Sequence, residues 1–297
     1  MVFALIASVW AADSCAAPID QICAVSASSK QDPHFELAHG GIADFRGVDN
    51  KMYALLSAPG MHVNARTRAN SFLLPNGPLL VHGSFFTEIA FVVQGKSQQT
   101  YGIHASSGAV GFDVLRISPV SNFVTAKRGV WQLYDNDGFS VLFKQATLVV
   151  RAQGWEVNAT RNPIYGHVSG PSRWRFDIST RTLSGTSLEK KYGAASKTCF
   201  PHGLIGQSYD GDDLAVDGKL DNYKFDPLHP VVTTTAQAEG AIEGIADDYT
   251  VESVFDTGFK YPRFTAAHDD VCLPRNVSKL TGHKRKSATA HRIGAML

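Results

Sequence analysis

The sequence predicts a mainly β protein: an antiparallel β-sandwich or barrel-like domain with a Gly/Asp-rich C-terminal extension and one short helix. Three observations carry this expectation. From Ile42 to Ile178 the chain breaks into short runs rich in Val, Phe, Leu and Tyr, punctuated by turn residues. Several runs alternate with period two; in Met61-His-Val63-Asn-Ala65-Arg-Thr67-Arg apolar and polar residues trade places, which predicts one buried and one wet face. The 26 glycines and 13 prolines favour turns over long helices.

The elements follow in order. Residues 1–17 hold a short apolar core from Val2 to Ala12 and then small residues, the pattern of a signal peptide, although a basic n-region is missing and a short buried strand is the other reading. Residues 18–31 are small and polar and read as a linker. In Gln31-Asp-Pro-His-Phe-Glu-Leu-Ala-His-Gly-Gly-Ile-Ala-Asp-Phe-Arg-Gly47, Pro33 biases Asp32 toward extended backbone and Gly40-Gly41 can turn tightly, so the stretch predicts strand, turn, strand. Asp135-Asn-Asp137-Gly138 and Gln153-Gly154 predict hairpin connections, because Asp, Asn and Gly tolerate left-handed backbone. The β domain is expected over 32–230. An extension over 231–278 holds the best helix candidate, Ala236 to Asp248, where Ala238, Ala241, Ile242 and Ile245 recur at helical spacing but Gly240 and Gly244 intervene. Leu188 to Thr198 suits a short helix or a loop, and 279–297 reads as a basic, disordered tail.

Composition narrows the function classes. In 297 residues, 44% hydrophobic and 19% charged content supports a full core, and a net charge of +1 argues against a general nucleic-acid binder. No apolar run is long enough for a transmembrane helix. The four cysteines, Cys15, Cys23, Cys199 and Cys272, match no zinc spacing and read as disulfides in a secreted chain or as buried thiols in a cytosolic one. A Cys199–Cys272 bridge would close a loop of about 70 residues, worth roughly 4 kcal/mol. The sequons at Asn158 and Asn276 fit secretion.

Three constellations could carry chemistry. Asp32 and His34, two apart on an extended segment, suit a carboxylate–imidazole pair for base or metal chemistry; a structural Asp–His bond that locks a sheet edge is the favoured alternative. Cys199-Phe-Pro-His-Gly-Leu-Ile-Gly-Gln-Ser-Tyr-Asp210 places Gly203 and Gly206 around two apolar residues, which suggests a tight turn or bulge rather than a phosphate loop. Asp210, Asp212, Asp213, Asp217 and Asp221 lie on a Gly-rich loop that could suit Ca²⁺ without matching an EF-hand, or could be a plain solvated loop. No nucleophile elbow or H-E-x-x-H motif is present.

Taken in order, Asp32-Pro33-His34-Phe35 and the late His202-Gly203-Leu204-Ile205-Gly206-Gln207 resemble the two ends of a von Willebrand type D-like domain. Asp44-Phe-Arg-Gly47, Tyr53-Ala-Leu-Leu-Ser57 and His62-Val-Asn-Ala65 are similar to the root cap or late-embryogenesis-related branch of that family. The similarity spans about residues 31 to 225. Ile205 stands where the type D motif has Cys, Gln31 where it has Gly, and the C-x-x-C of disulfide-linked multimers is missing. The resemblance implies a secreted, usually non-enzymatic β domain whose signature residues Asp32, Pro33, His34, Phe35, His202, Gly203, Gly206 and Gln207 are structural. Its expected work is binding an extracellular protein or glycan in matrix, cell wall or cell surface. The main rival is a secreted hydrolase or carbohydrate-active enzyme using Asp32, His34, His202 and Asp210. A cytosolic desiccation-related protein is a third reading, which the strong core pattern disfavours.

Overall fold

The computed structural model describes residues 26–75, 77–109, 112–118, 121–126, 132–134, 137–184, 187–195, 199–266 and 283–286. The strands are β1 (Ser26–Lys30), β2 (His34–Glu36), β3 (Ile42–Asp44), β4 (Met52–Ala58), β5 (Met61–Leu73), β6 (Leu80–Gln94), β7 (Thr100–Ser106), β8 (Phe112–Ser118), β9 (Ser121–Ala126) and β10 (Gln132–Tyr134). They continue with β11 (Phe139–Lys144), β12 (Thr147–Ala152), β13 (Trp155–Pro163), β14 (His167–Ser169), β15 (Trp174–Thr182), β16 (Leu214–Asp217), β17 (Val231–Thr233), β18 (Thr250–Val251) and β19 (His283–Lys286).

One sheet runs β10-β11-β12-β13-β15-β1-β2-β3, and the other runs β18-β4-β5-β6-β7-β8-β9 with β14 and β17 on its flanks. Pairing is antiparallel apart from β17, which lies parallel to β6. The two sheets face one another across a shared core, so the architecture is the expected sandwich. Alternation explains the inner face: β12 and β15 bury every second residue, among them Leu148, Val150, Phe176 and Ile178. Aromatic contacts bridge the layers. Phe35 stacks on Phe45 at 5.4 Å, and Phe45 meets Tyr53 at 5.1 Å and Phe86 at 6.3 Å between centroids.

The predicted hairpins form where the turn chemistry places them. β2 pairs with β3 around Gly40-Gly41, and β12 pairs with β13 through Gln153 (φ 51) and Gly154 (φ 81). The β10–β11 hairpin turns through Gly138 at φ 78.

Three local expectations change. The short helix is α1 (Ser187–Tyr192), not Ala236 to Asp248. Left-handed backbone at Ala238, Gly240 and Gly244 breaks that periodic segment into turns, while tertiary packing still buries Ala238, Ala241 and Ile242. The second correction concerns β5, whose polar face is not wet at its start. His62 and Asn64 are fully buried, because Asn64 Nδ2 donates to the carbonyls of Val254 (3.1 Å) and Asp256 (2.7 Å) and draws that segment over the sheet. Finally, within the basic tail, β19 pairs with β16 and adds a strand where composition predicts disorder.

Candidate functional site

The Asp-Pro-His-Phe stretch lies at the junction of the two sheets. Gln31 adopts φ 58 and turns the chain after β1, which places Asp32 in the turn rather than in β2. Asp32 and His34 therefore do not bond each other, which corrects the pairing expected from their spacing. Asp32, 5% exposed, reaches across to the opposite sheet and accepts a hydrogen bond from the Ser84 amide of β6 at 2.8 Å. Its other oxygen accepts the Tyr223 hydroxyl at 3.2 Å. Gly83 makes this approach possible: a Cβ there would stand 2.3 Å from Asp32 Oδ2. Burial pushes the Asp32 carboxyl up to about 7, against the lowering effect of the Ser84 bond and the His34 charge.

His34 pairs instead with Asp44, its directly opposed partner on β3, with Nδ1 donating to Oδ1 at 2.6 Å. Burial pulls the His34 pKa down, but the Asp44 bond and the charges of Asp44, Asp32 and Asp221 outweigh it and hold it above the ordinary value. The second Asp44 oxygen accepts the Asp221 amide at 2.7 Å. Asp221 in turn accepts the amides of Thr235 (2.7 Å) and Ala236 (3.1 Å). The cluster is thus a chain of carboxylates, each spent on a backbone amide or an internal side chain. Phe35 fills the core beneath, 1% exposed, and the Pro33 carbonyl accepts the Phe45 amide.

The late glycine motif lies along β4 of the other sheet. His202 and Ser57 exchange backbone bonds, and the Leu204 and Ile205 amides donate to the Ala54 and Leu55 carbonyls. Gly203 adopts φ +110 where a Cβ would approach the Leu55 carbonyl carbon to 2.6 Å, and Gly206 presses on Leu56. The His202 ring accepts the Gly203 amide at Nδ1, which leaves the proton on Nε2, 3.6 Å from Glu243. It stacks on Tyr261 at 4.5 Å and on Tyr249 at 5.8 Å. Gln207, wholly buried, donates to the Gly203 carbonyl (3.0 Å) and Tyr249 hydroxyl (2.9 Å) and accepts the Glu243 amide (2.9 Å). One bond joins the two signatures: Ser208 Oγ accepts the Ala38 amide at 3.0 Å.

The remaining candidates are placed as follows. Among the described residues no group of three His, Cys, Asp or Glu converges to hold a metal. Asp212 accepts the Leu214 amide, Asp217 the Ile42 amide, and Asp213 is exposed. The hydrolase candidates are not gathered: His34 engages Asp44, whereas His202 engages Tyr249, Tyr261 and Glu243. Cys199 is buried and disulfide-bonded, and Cys15, Cys23, Cys272 and Asn276 lie outside the described residues, as do residues 1–25. Asn158 sits on β13 between β12 and β15, where its amide donates to Ser179 Oγ at 3.3 Å.

A polar cleft of about 530 Å³ opens beside β18, lined in part by Lys51, Arg66, Glu252 and Asp256. Sequence reading misses it because those residues come from separate strands and loops and form no local motif. The described residues contain no helix long and apolar enough to cross a membrane. The chain matches no family model, and no curated protein matches it.

Proposed function

We propose that the chain is a secreted, non-enzymatic β-sandwich with a structural or binding role toward an extracellular protein or glycan. The observation that carries this reading is how the signature side chains are spent. Asp32 staples one sheet to the other, His34 and Asp44 lock the β2–β3 edge, and Gln207 ties the late glycine turn to residues 243 and 249. These are the tasks of an architectural motif, since each polar group satisfies a partner inside the fold. The disulfide at Cys199 suits an oxidising compartment, and the mixed-charge cleft beside β18 offers polar contacts for a ligand. The order of the motifs supports a type D-like kinship.

The test pairs stability with turnover. His34→Ala removes the half-buried partner of the buried Asp44 carboxylate and should lower stability by about 1–2 kcal/mol. Hydrolysis of a broad panel of glycosides and esters should show no activity that depends on Asp32 or His34. Turnover that is lost in a folded Asp32→Asn protein, or a His34→Ala melt equal to that of the parent, refutes the reading.

A further inference from the structure

Residues 219–238 cross the Asp32–His34 cluster as one segment. Its ends are pinned by backbone bonds: Asp44 N–H to the Lys219 carbonyl, Arg46 N–H to the Ala236 carbonyl and Ala238 N–H to the Asp44 carbonyl. Residues 230–234 are tied to β6 by backbone, through the β17 pairing, Leu80 N–H to the Pro230 carbonyl and Thr234 N–H to the His82 carbonyl, whereas residues 220–229, the strap proper, are held mainly by side-chain contacts. Tyr223 donates to Asp32, meets the His34 ring edge-on at 5.7 Å, and Asp221 sits on Asp44. Arg46 Nη1 donates to the Thr234 carbonyl at 2.6 Å. The side chains of Phe225 and Leu228 (83% exposed) on this stretch face solvent.

The charges under the strap are unbalanced. Facing Asp32 are His34 from β2, Asp44 from β3, the Ser84 amide from β6, and Asp221 and Tyr223 from the strap itself. His82 on β6 turns away to Ser71, at 2.7 Å, and Asp177 of β15 takes the Gln31 amide and the Arg175 side chain. Three carboxyl groups thus share one imidazole as the cationic group of the cluster.

We propose that residues 220–229 form a releasable strap, held closed by a proton clasp on Asp32 and His34 in mildly acidic solution and loosened as the solution becomes alkaline. With the proton bound, Asp32 is neutral and His34 positive, which offsets Asp44 and Asp221. With both protons lost, three carboxylates face one another and the Tyr223 hydroxyl under a neutral ring. The sign follows from linkage. Asp32 titrates near 7 when covered and near 3.8 in water, so its favourable contribution is complete below 3.8 and is lost as pH rises through about 7. His34, also raised, loses its contribution in the same direction, as pH climbs from 6.5 through its folded value.

Hydrogen–deuterium exchange of the full chain tests the clasp, with rates normalised for the base-catalysed chemistry of exchange. The opening equilibrium of 220–229 should rise about tenfold between pH 6 and pH 8, while β12, β13 and the β17 pairing with β6 keep their protection. In Asp32→Asn, which keeps an acceptor for Ser84 and cannot titrate, the rise should fall below about threefold. Equal strap protection at both pH values overturns the proposal, as does an undiminished rise in Asp32→Asn. If that variant does not fold, the wild-type comparison decides: loss confined to the strap supports the clasp, and parallel loss in β12 and β13 overturns it.

Discussion

Gly83→Ala isolates the contact that joins the two sheets. The glycine has no left-handed backbone requirement; what it supplies is room. An added Cβ would lie 2.3 Å from Asp32 Oδ2 and 2.5 Å from Oδ1, well inside contact distance. The carboxyl must therefore leave, and it takes with it the bonds from the Ser84 amide and the Tyr223 hydroxyl. Each buried group left without a partner costs about 1–3 kcal/mol, so the substitution should destabilise the fold by about 2–5 kcal/mol. In a chain of this size that lowers Tm by about 5–15 °C. Thermal melts followed by circular dichroism read this directly. Gly77→Ala is the control, because nothing lies within 4 Å of a Cβ there, and it should change stability by less than about 0.5 kcal/mol. A double-mutant cycle sharpens the test. In an Asp32→Ala background the clash no longer exists, so Gly83→Ala should add less than about 1 kcal/mol. A Gly83→Ala melt within about 1 °C of the parent, or full additivity with Asp32→Ala, refutes the inter-sheet staple.

Two further outcomes follow from the late glycine motif and the covered face of β5. Gln207→Leu removes three bonds that tie Gly203 to Glu243 and Tyr249, so it should cost about 2–4 kcal/mol and speed proteolysis within residues 240–250 before the rest of the chain; urea melts and timed digestion check both. Burial holds the His62 pKa down at about 4 and outweighs the Asn64 bond at 2.7 Å and the Asp256 charge, both of which raise it, while Nδ1 is buried without a hydrogen-bond partner. Its neutral form is the folded form, so its contribution is present above 6.5 and fades as pH falls toward 4, by up to about 3 kcal/mol. The stability gap between the parent and His62→Gln, measured by urea at pH 7 and pH 4.5, should narrow by that order; a gap independent of pH contradicts it.

The acid behaviours of these two sites run in opposite directions for one physical reason. Asp32 is buried from water and faces the Asp221 carboxylate, so protonation relieves charge despite the nearby His34. His62 is buried beside a neutral amide and the ring of Phe259, so protonation creates charge without a solvating partner. Mild acid therefore tightens the strap on one edge while it strains the cover over β5.

The sequence by itself determined what local chemistry can determine. Period-two alternation marked several strands, and short runs rich in Leu and Tyr marked others, such as β4 at Met52–Ala58. Gly and Asp placed the hairpins, because positive φ is a property of single residues. The turns within the two glycine-bearing stretches were also legible, from proline and glycine at short spacing. Partners were not. His34 takes Asp44 because strand register sets them opposite each other, and Asp32 takes Ser84, which lies 52 residues on and in the other sheet. The helical period of Ala238, Ala241 and Ile242 reports burial truly and conformation wrongly, since a core can be met by turns as well as by a helix. The polar face of β5 reads as wet until residues 254–259 fold over it. Each of these was decided by the tertiary structure, because burial and hydrogen-bond pairing depend on distances between segments that no local pattern encodes.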